Sequence, residues 1–117
     1  VRRHLSLLSQ APRLDLTTST WTLYEALTIV KRSGHHRVME LHRYAASAMD
    51  VVPIDAATEA EAVNRFFRWS DKTASVVDHA NLLAAIASGC EAILTFDADF
   101  LPIARGTRIR VLGAGGR

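Results

Sequence analysis

Cysteine is almost absent: one residue, Cys90, in a chain of 117. That excludes an internal disulfide and fits a protein of a reducing compartment, the cytoplasm. Cys90 follows Gly89 beside an apolar run and reads as a small buried side chain. Long hydrophobic runs are also missing. Nothing approaches the ~20 apolar residues that cross a bilayer, so no membrane partner is expected. Residues 1–14, "VRRHLSLLSQAPRL", have neither the apolar core nor the small-residue cleavage site of a secretory leader. No repeat or low-complexity segment is visible. Charge of one sign is scarce too: 14 Lys and Arg against 12 Asp and Glu leave +2, too little by itself to argue for a polyanion partner.

What remains is an ordinary globular composition, 49% hydrophobic and 22% charged. The length allows one domain with a real core. We expect that domain over residues 1–112 and a loose tail at 113–117, "GAGGR". The chain starts with Val, and residues 1–10 read as the rear half of an amphipathic helix, with Leu5 and Leu8 at helical spacing. This implies residues upstream.

Strand and helix patterns alternate. A short strand is expected at 14–18, then a helix with Leu23, Ala26, Leu27 and Val30 on one face, closed by Gly34. A second helix, "HRVMELHRYAASA", turns Val38, Leu41 and Ala45 inward. "DVVPID" predicts a strand whose Pro53 favours an edge. Thr58 with Glu61 three residues on predicts a capping box opening the next helix. Ser75 caps a further helix, stopped by Gly89; "AILTFD" is the most apolar strand, hence central, and "IRVL" the last. Strands linked through helices by short loops make a parallel sheet covered on both faces, an α/β protein.

In such sheets ligands bind outside the carboxyl ends of the strands. Residues 93–100, "ILTFDADF", deliver Asp97 and Asp99 to that edge at the end of an apolar strand. The helix 75–88 runs into this strand, so its N-terminus brings Asp78 to the same edge. The first strand feeds a helix whose opening turns hold Glu25. Clustered carboxylates raise one another's pKa values unless a cation relieves the repulsion. Hard oxygen donors with no Cys/His set suit Mg²⁺ or Mn²⁺ and, through an activated water, phosphodiester hydrolysis.

Each acid also has a plain structural explanation. "SVVD" is a capping box that needs no metal. Glu25, three after Thr22, suits a first-turn acid; Asp97 and Asp99 suit the turn before Pro102. Asp71 fits an exposed loop and His79 polar surface. Trp21, Phe66, Phe67 and Trp69 fit core or partner-facing packing better than base stacking. The run Lys31, Arg32, His35, His36, Arg37, His42 and Arg43 reads as a solvated face.

Together, "TLYEAL", "SDKTASVVDHANLLAA" and "GCEAILTFDADF" resemble the PIN-domain ribonucleases, above all the VapC-type toxins of toxin–antitoxin pairs. The likeness runs in order through nearly the whole chain. It implies a three-layer α/β/α domain with strand order 3-2-1-4-5. It makes Glu25, Asp78 and Asp97 the family's second, third and fourth acids, both catalytic residues and metal ligands. Asp99 becomes an accessory ligand, with Ser75 and Thr95 in support. The implied activity is Mg²⁺- or Mn²⁺-dependent endoribonuclease cleavage of tRNA or rRNA, by a cytoplasmic homodimer held inactive by a cognate antitoxin.

One departure stands out. The family's first acid lies on an N-terminal strand, "DTS"-like and central in the sheet; before Glu25 only Asp15 is acidic, in the segment matching the second strand. The resemblance therefore implies an N-terminal truncation, with a fragment that is inactive and poorly stable. A PIN-like binding module without catalysis is the alternative. "DAD" also mimics the nucleophile motif of haloacid-dehalogenase-like phosphatases, but that motif opens its domain, and Leu101 stands where Thr or Val is required. A receiver-type signalling domain needs a lysine after a late strand, and "IRVLGAGGR" has none.

Overall fold

The computed structural model describes residues 15–69 and 73–113. In chain order these form β1 (Leu16–Ser19), α1 (Thr20–Val30), a 3-10 turn (Lys31–Ser33), α2 (His35–Ala48), β2 (Met49–Val52) and α3 (Ala56–Arg68). They continue through α4 (Val76–Ala87), β3 (Ala92–Leu94), α5 (Phe100–Ala104) and β4 (Arg110–Leu112). The fold is the expected α/β/α arrangement. The leading helix with Leu5 and Leu8, Asp71, and residues 114–117 of the expected tail lie outside the described residues.

All strand pairing is parallel. β1 lies along β2 from Leu16 opposite Met49 to Ser19 opposite Val52. β3 lies along β4 from Ala92 opposite Arg110 to Leu94 opposite Leu112. Among the described residues these remain two separate two-stranded sheets. A 3-2-1-4-5 sheet divides in this way when no described strand occupies its first position. The segment 92–97, expected to be central, consequently has a strand on one side only among the described residues, and Leu94 is 41% exposed. β2 ends at Val52 before Pro53, which supplies no N–H to a ladder, and β2 is an edge as expected.

Side chains fix where the helices begin. Ser19 caps α1 and Ser75 caps α4. The expected cap of α3, Thr58, is displaced by Asp55, whose Oδ1 accepts from the Thr58 N–H at 2.8 Å. A carboxylate both accepts this bond and meets the positive end of the helix, so the helix starts earlier. Glu61 is thereby released to pair with Arg68 at 2.9 Å. At the other end of α1 the chain tightens into the 3-10 turn and reverses at Gly34, whose φ of 120° suits a residue without Cβ.

Packing relies on alanines between helices and a compact cluster beyond them. Ala62 of α3 and Ala80 of α4 are completely buried, as α3 lies against α4. Leu82 and Ala85 of α4 join Ala74, Phe100, Ile103, Ala104 and Ile109 in the core, against which Trp69, Cys90, Ile93 and Val111 pack. Cys90 is therefore half-buried. α4 is the element shared by both halves, since it also touches β1.

Bonds from the Thr58 backbone N–H and then its side chain hold the Asp55 carboxyl below its usual pKa. A depressed folded-state pKa contributes stability that is complete above about pH 4 and disappears as pH falls through the folded value. Asp55→Ala should lower the melting temperature at pH 7. Asp55→Asn should keep the cap but lose this acid-dependent part, giving a flatter melting curve between pH 5 and pH 3 by circular dichroism. An unchanged Asp55→Ala melting temperature contradicts the capping role.

Candidate functional site

The carboxyl end of β1 carries a partly buried polar junction. Ser19, 5% exposed, accepts from the Thr22 N–H at 3.2 Å and so caps α1. Its hydroxyl donates to Asn81 Oδ1 of α4. The Asn81 amide donates in turn to Thr22 Oγ1 at 2.7 Å. Both ends of one amide are thus used to join α1 to α4.

Glu25 lies one turn beyond Thr22 and Asp78 one turn before Asn81. Glu25 lines a surface groove of about 620 Å³ together with Val77, the neighbour of Asp78. Trp21, Tyr24, Thr28 and Ile29 complete its wall. Glu25 sits in the second turn of α1, not the first, because Ser19 starts the helix at Thr20.

Asp78 forms the capping box. Its Oδ2 accepts from the Ser75 N–H at 2.8 Å, and Ser75 Oγ accepts from the Asp78 N–H at 3.1 Å. Among the described residues its Oδ1 has no hydrogen-bond partner. Asp97 follows β3 in an exposed turn: its N–H donates to Thr95 Oγ1 at 3.1 Å and its Oδ1 accepts from the Asp99 N–H at 2.9 Å. Asp99 stands at the start of α5 without a side-chain cap bond. Thr95 is held by β4, its N–H donating to Leu112 O at 2.9 Å. Gly113, φ 95°, presses on this turn; a Cβ there would lie 2.5 Å from the Thr95 carbonyl oxygen.

The structure thus joins the helices that carry Glu25 and Asp78 through the Ser19, Thr22 and Asn81 side chains, and holds Asp97 and Asp99 in one turn. Among the described residues no three His, Cys, Asp or Glu side chains are gathered at ion-holding distance. The oxygens left free are hard donors, and Mg²⁺ commonly takes one or two carboxylates and keeps water for the remaining positions. The donor chemistry fits such an ion without a closed protein cage.

His79, expected at the surface, is 1% exposed. It stacks edge-on to Trp69 with centroids 5.6 Å apart and accepts from Arg65 Nε at 3.4 Å. The reason is its position facing α3, opposite the solvent face of α4. Arg65 also lies over the Trp69 ring at 4.9 Å. The basic stretch 31–43 is solvent-facing at each of its cationic positions, and its one ion pair among the described residues is His36 with Glu40 at 2.8 Å. Phe67 is 78% exposed and packs edge-on against Phe66, consistent with partner-facing packing.

The cap and the charge of Asp78 can be separated. Asp78→Asn retains an oxygen for the Ser75 N–H and should cost about 0.3–1 kcal/mol through the lost charge at the helix N-terminus. Asp78→Ala should cost about 0.5–1.5 kcal/mol more, for the hydrogen bond. Urea denaturation of both variants checks this ranking; equal stabilities contradict it.

The model of the PIN domain family matches residues 1–106. Among solved structures, Mycobacterium tuberculosis VapC20, a toxin that cleaves the sarcin–ricin loop, superposes with a TM-score of 0.73 at 22% identity, over 90% of this chain and 82% of that one. The likeness is one of fold. No curated protein matches the sequence.

Proposed function

The chain belongs to the PIN domain family, and on that premise we propose that it is a VapC-type toxin, a divalent-metal-dependent endoribonuclease that hydrolyses RNA phosphodiesters. The single observation that supports this best is the junction of α1 with α4, which ties together the two helices that carry Glu25 and Asp78, with Glu25 and Val77 lining one open groove. Glu25, Asp78 and Asp97 are the residues assigned to hold Mg²⁺ or Mn²⁺, with Asp99 as accessory and Ser75 and Thr95 fixing the turns that carry them. When bound, such an ion supplies charge neutralisation for a phosphate and a more acidic water for in-line attack.

The rest of the work falls to the chain itself. Exposed Lys31, Arg32, Arg37 and Arg43 offer the RNA backbone a cationic track that begins at the end of the helix bearing Glu25. The substrate class is a tRNA or rRNA loop, of which the target of VapC20 is one example. A cognate antitoxin and a second copy of the chain are the proposed protein partners, and the cytoplasm the proposed location. No described helix is long and apolar enough to cross a membrane.

A second reading, a PIN-like binding module without catalysis, draws on the lack of a three-carboxylate group among the described residues. One experiment separates the two. The full-length parent should cleave RNA in Mg²⁺ and stop on chelation, while Asp97→Asn should lose metal-dependent cleavage at unchanged melting temperature. RNA affinity of both should fall steeply between 50 and 200 mM salt, as phosphate contacts require. Equal cleavage by parent and variant contradicts the assignment of Asp97. RNA binding without any cleavage by the parent favours the binding module.

A further inference from the structure

We propose that Ser19, Thr22 and Asn81 are positioning residues that set the separation of Glu25 from Asp78; the inference rests on the ribonuclease reading of those two acids. Each member of the junction stands one helical turn from a proposed ligand on its own helix: Thr22 from Glu25, Asn81 from Asp78. The bonds between them span 59 and 62 residues of chain, so they join segments that nothing local holds together.

Simple capping does not account for the arrangement. To cap α1, Ser19 needs only an oxygen for the Thr22 N–H. Its proton goes to Asn81, and Asn81 returns a proton to Thr22, so the amide is fixed at two points and cannot rotate without breaking one of them. A two-point bond resists sliding of α1 along α4, whereas apolar contact tolerates it. Sliding is the motion that would most alter the distance between two carboxylates on facing helices. Groups that hold metal ligands in place typically contribute 10–100-fold in ion affinity or activity.

Thr22 allows an isosteric test. Thr22→Val keeps the shape and the backbone N–H but removes the oxygen that receives the Asn81 amide; Thr22→Ser keeps that oxygen. In the full chain, Mn²⁺ titration by calorimetry and RNA cleavage kinetics should show Thr22→Val weakened about tenfold or more in ion affinity and in kcat. The KM for RNA should stay within about twofold of the parent, since no proposed RNA contact changes. Thr22→Ser should restore both losses, and Asn81→Ala should reproduce the Thr22→Val pattern. If Thr22→Val lowers the melting temperature but binds Mn²⁺ and turns over like the parent, the junction is purely structural and the inference is overturned. If the full-length parent itself neither binds Mn²⁺ nor cleaves RNA, the ribonuclease reading fails, and this inference with it.

Discussion

A hydroxyl buried where a strand becomes a helix must give its proton to something. For Ser19 that partner is Asn81, on another helix 62 residues away in sequence. Leaving a buried polar group unpaired costs about 1–3 kcal/mol, a large share of the stability of a small domain. The requirement fixes the line along which α1 meets α4. Along that line lies the groove that Glu25 and Val77 share.

α4 has a double task in this design. Its apolar face supplies Leu82 and Ala85 to the cluster beside β3 and β4, and its polar face gives Asn81 to the end of β1. It therefore links two parallel strand pairs that share no ladder among the described residues. Its first turn adds the capping box, which anchors one oxygen of Asp78 and leaves the other available. Charge is divided along α1 in a similar way. Glu25 lies midway along the helix, and the cationic run starts at Lys31, roughly 9 Å further along the axis. Glu25 and the cationic run thus occupy separate stretches of the chain and form no ion pair with each other among the described residues.

Most of the element order was legible because it rests on local signals: Ser75 with Asp78, Gly34 and Gly89 at helix ends, and the apolar run before Asp97. The α3 cap was misplaced because Thr58 and Asp55 both satisfy the same local rule, and only the charge of Asp55 decides between them. The burial of His79 was hidden, since its partner Trp69 comes from a different helix end and no periodicity marks the pairing. Ser19, Thr22 and Asn81 were missed for the same reason. A polar bond between distant segments leaves no trace in either segment alone. The acids themselves were visible as types in helices and at strand ends, whereas the polar bond between two of the helices that carry them was not.

The central claim is that Glu25, Asp78 and Asp97 share a divalent cation. It is tested most directly by an anomalous-difference map from crystals of the chain grown with Mn²⁺. The account predicts one strong peak within about 2.0–2.3 Å of oxygens from these carboxylates. A well-ordered site with no peak between them, or a peak bound elsewhere, contradicts it.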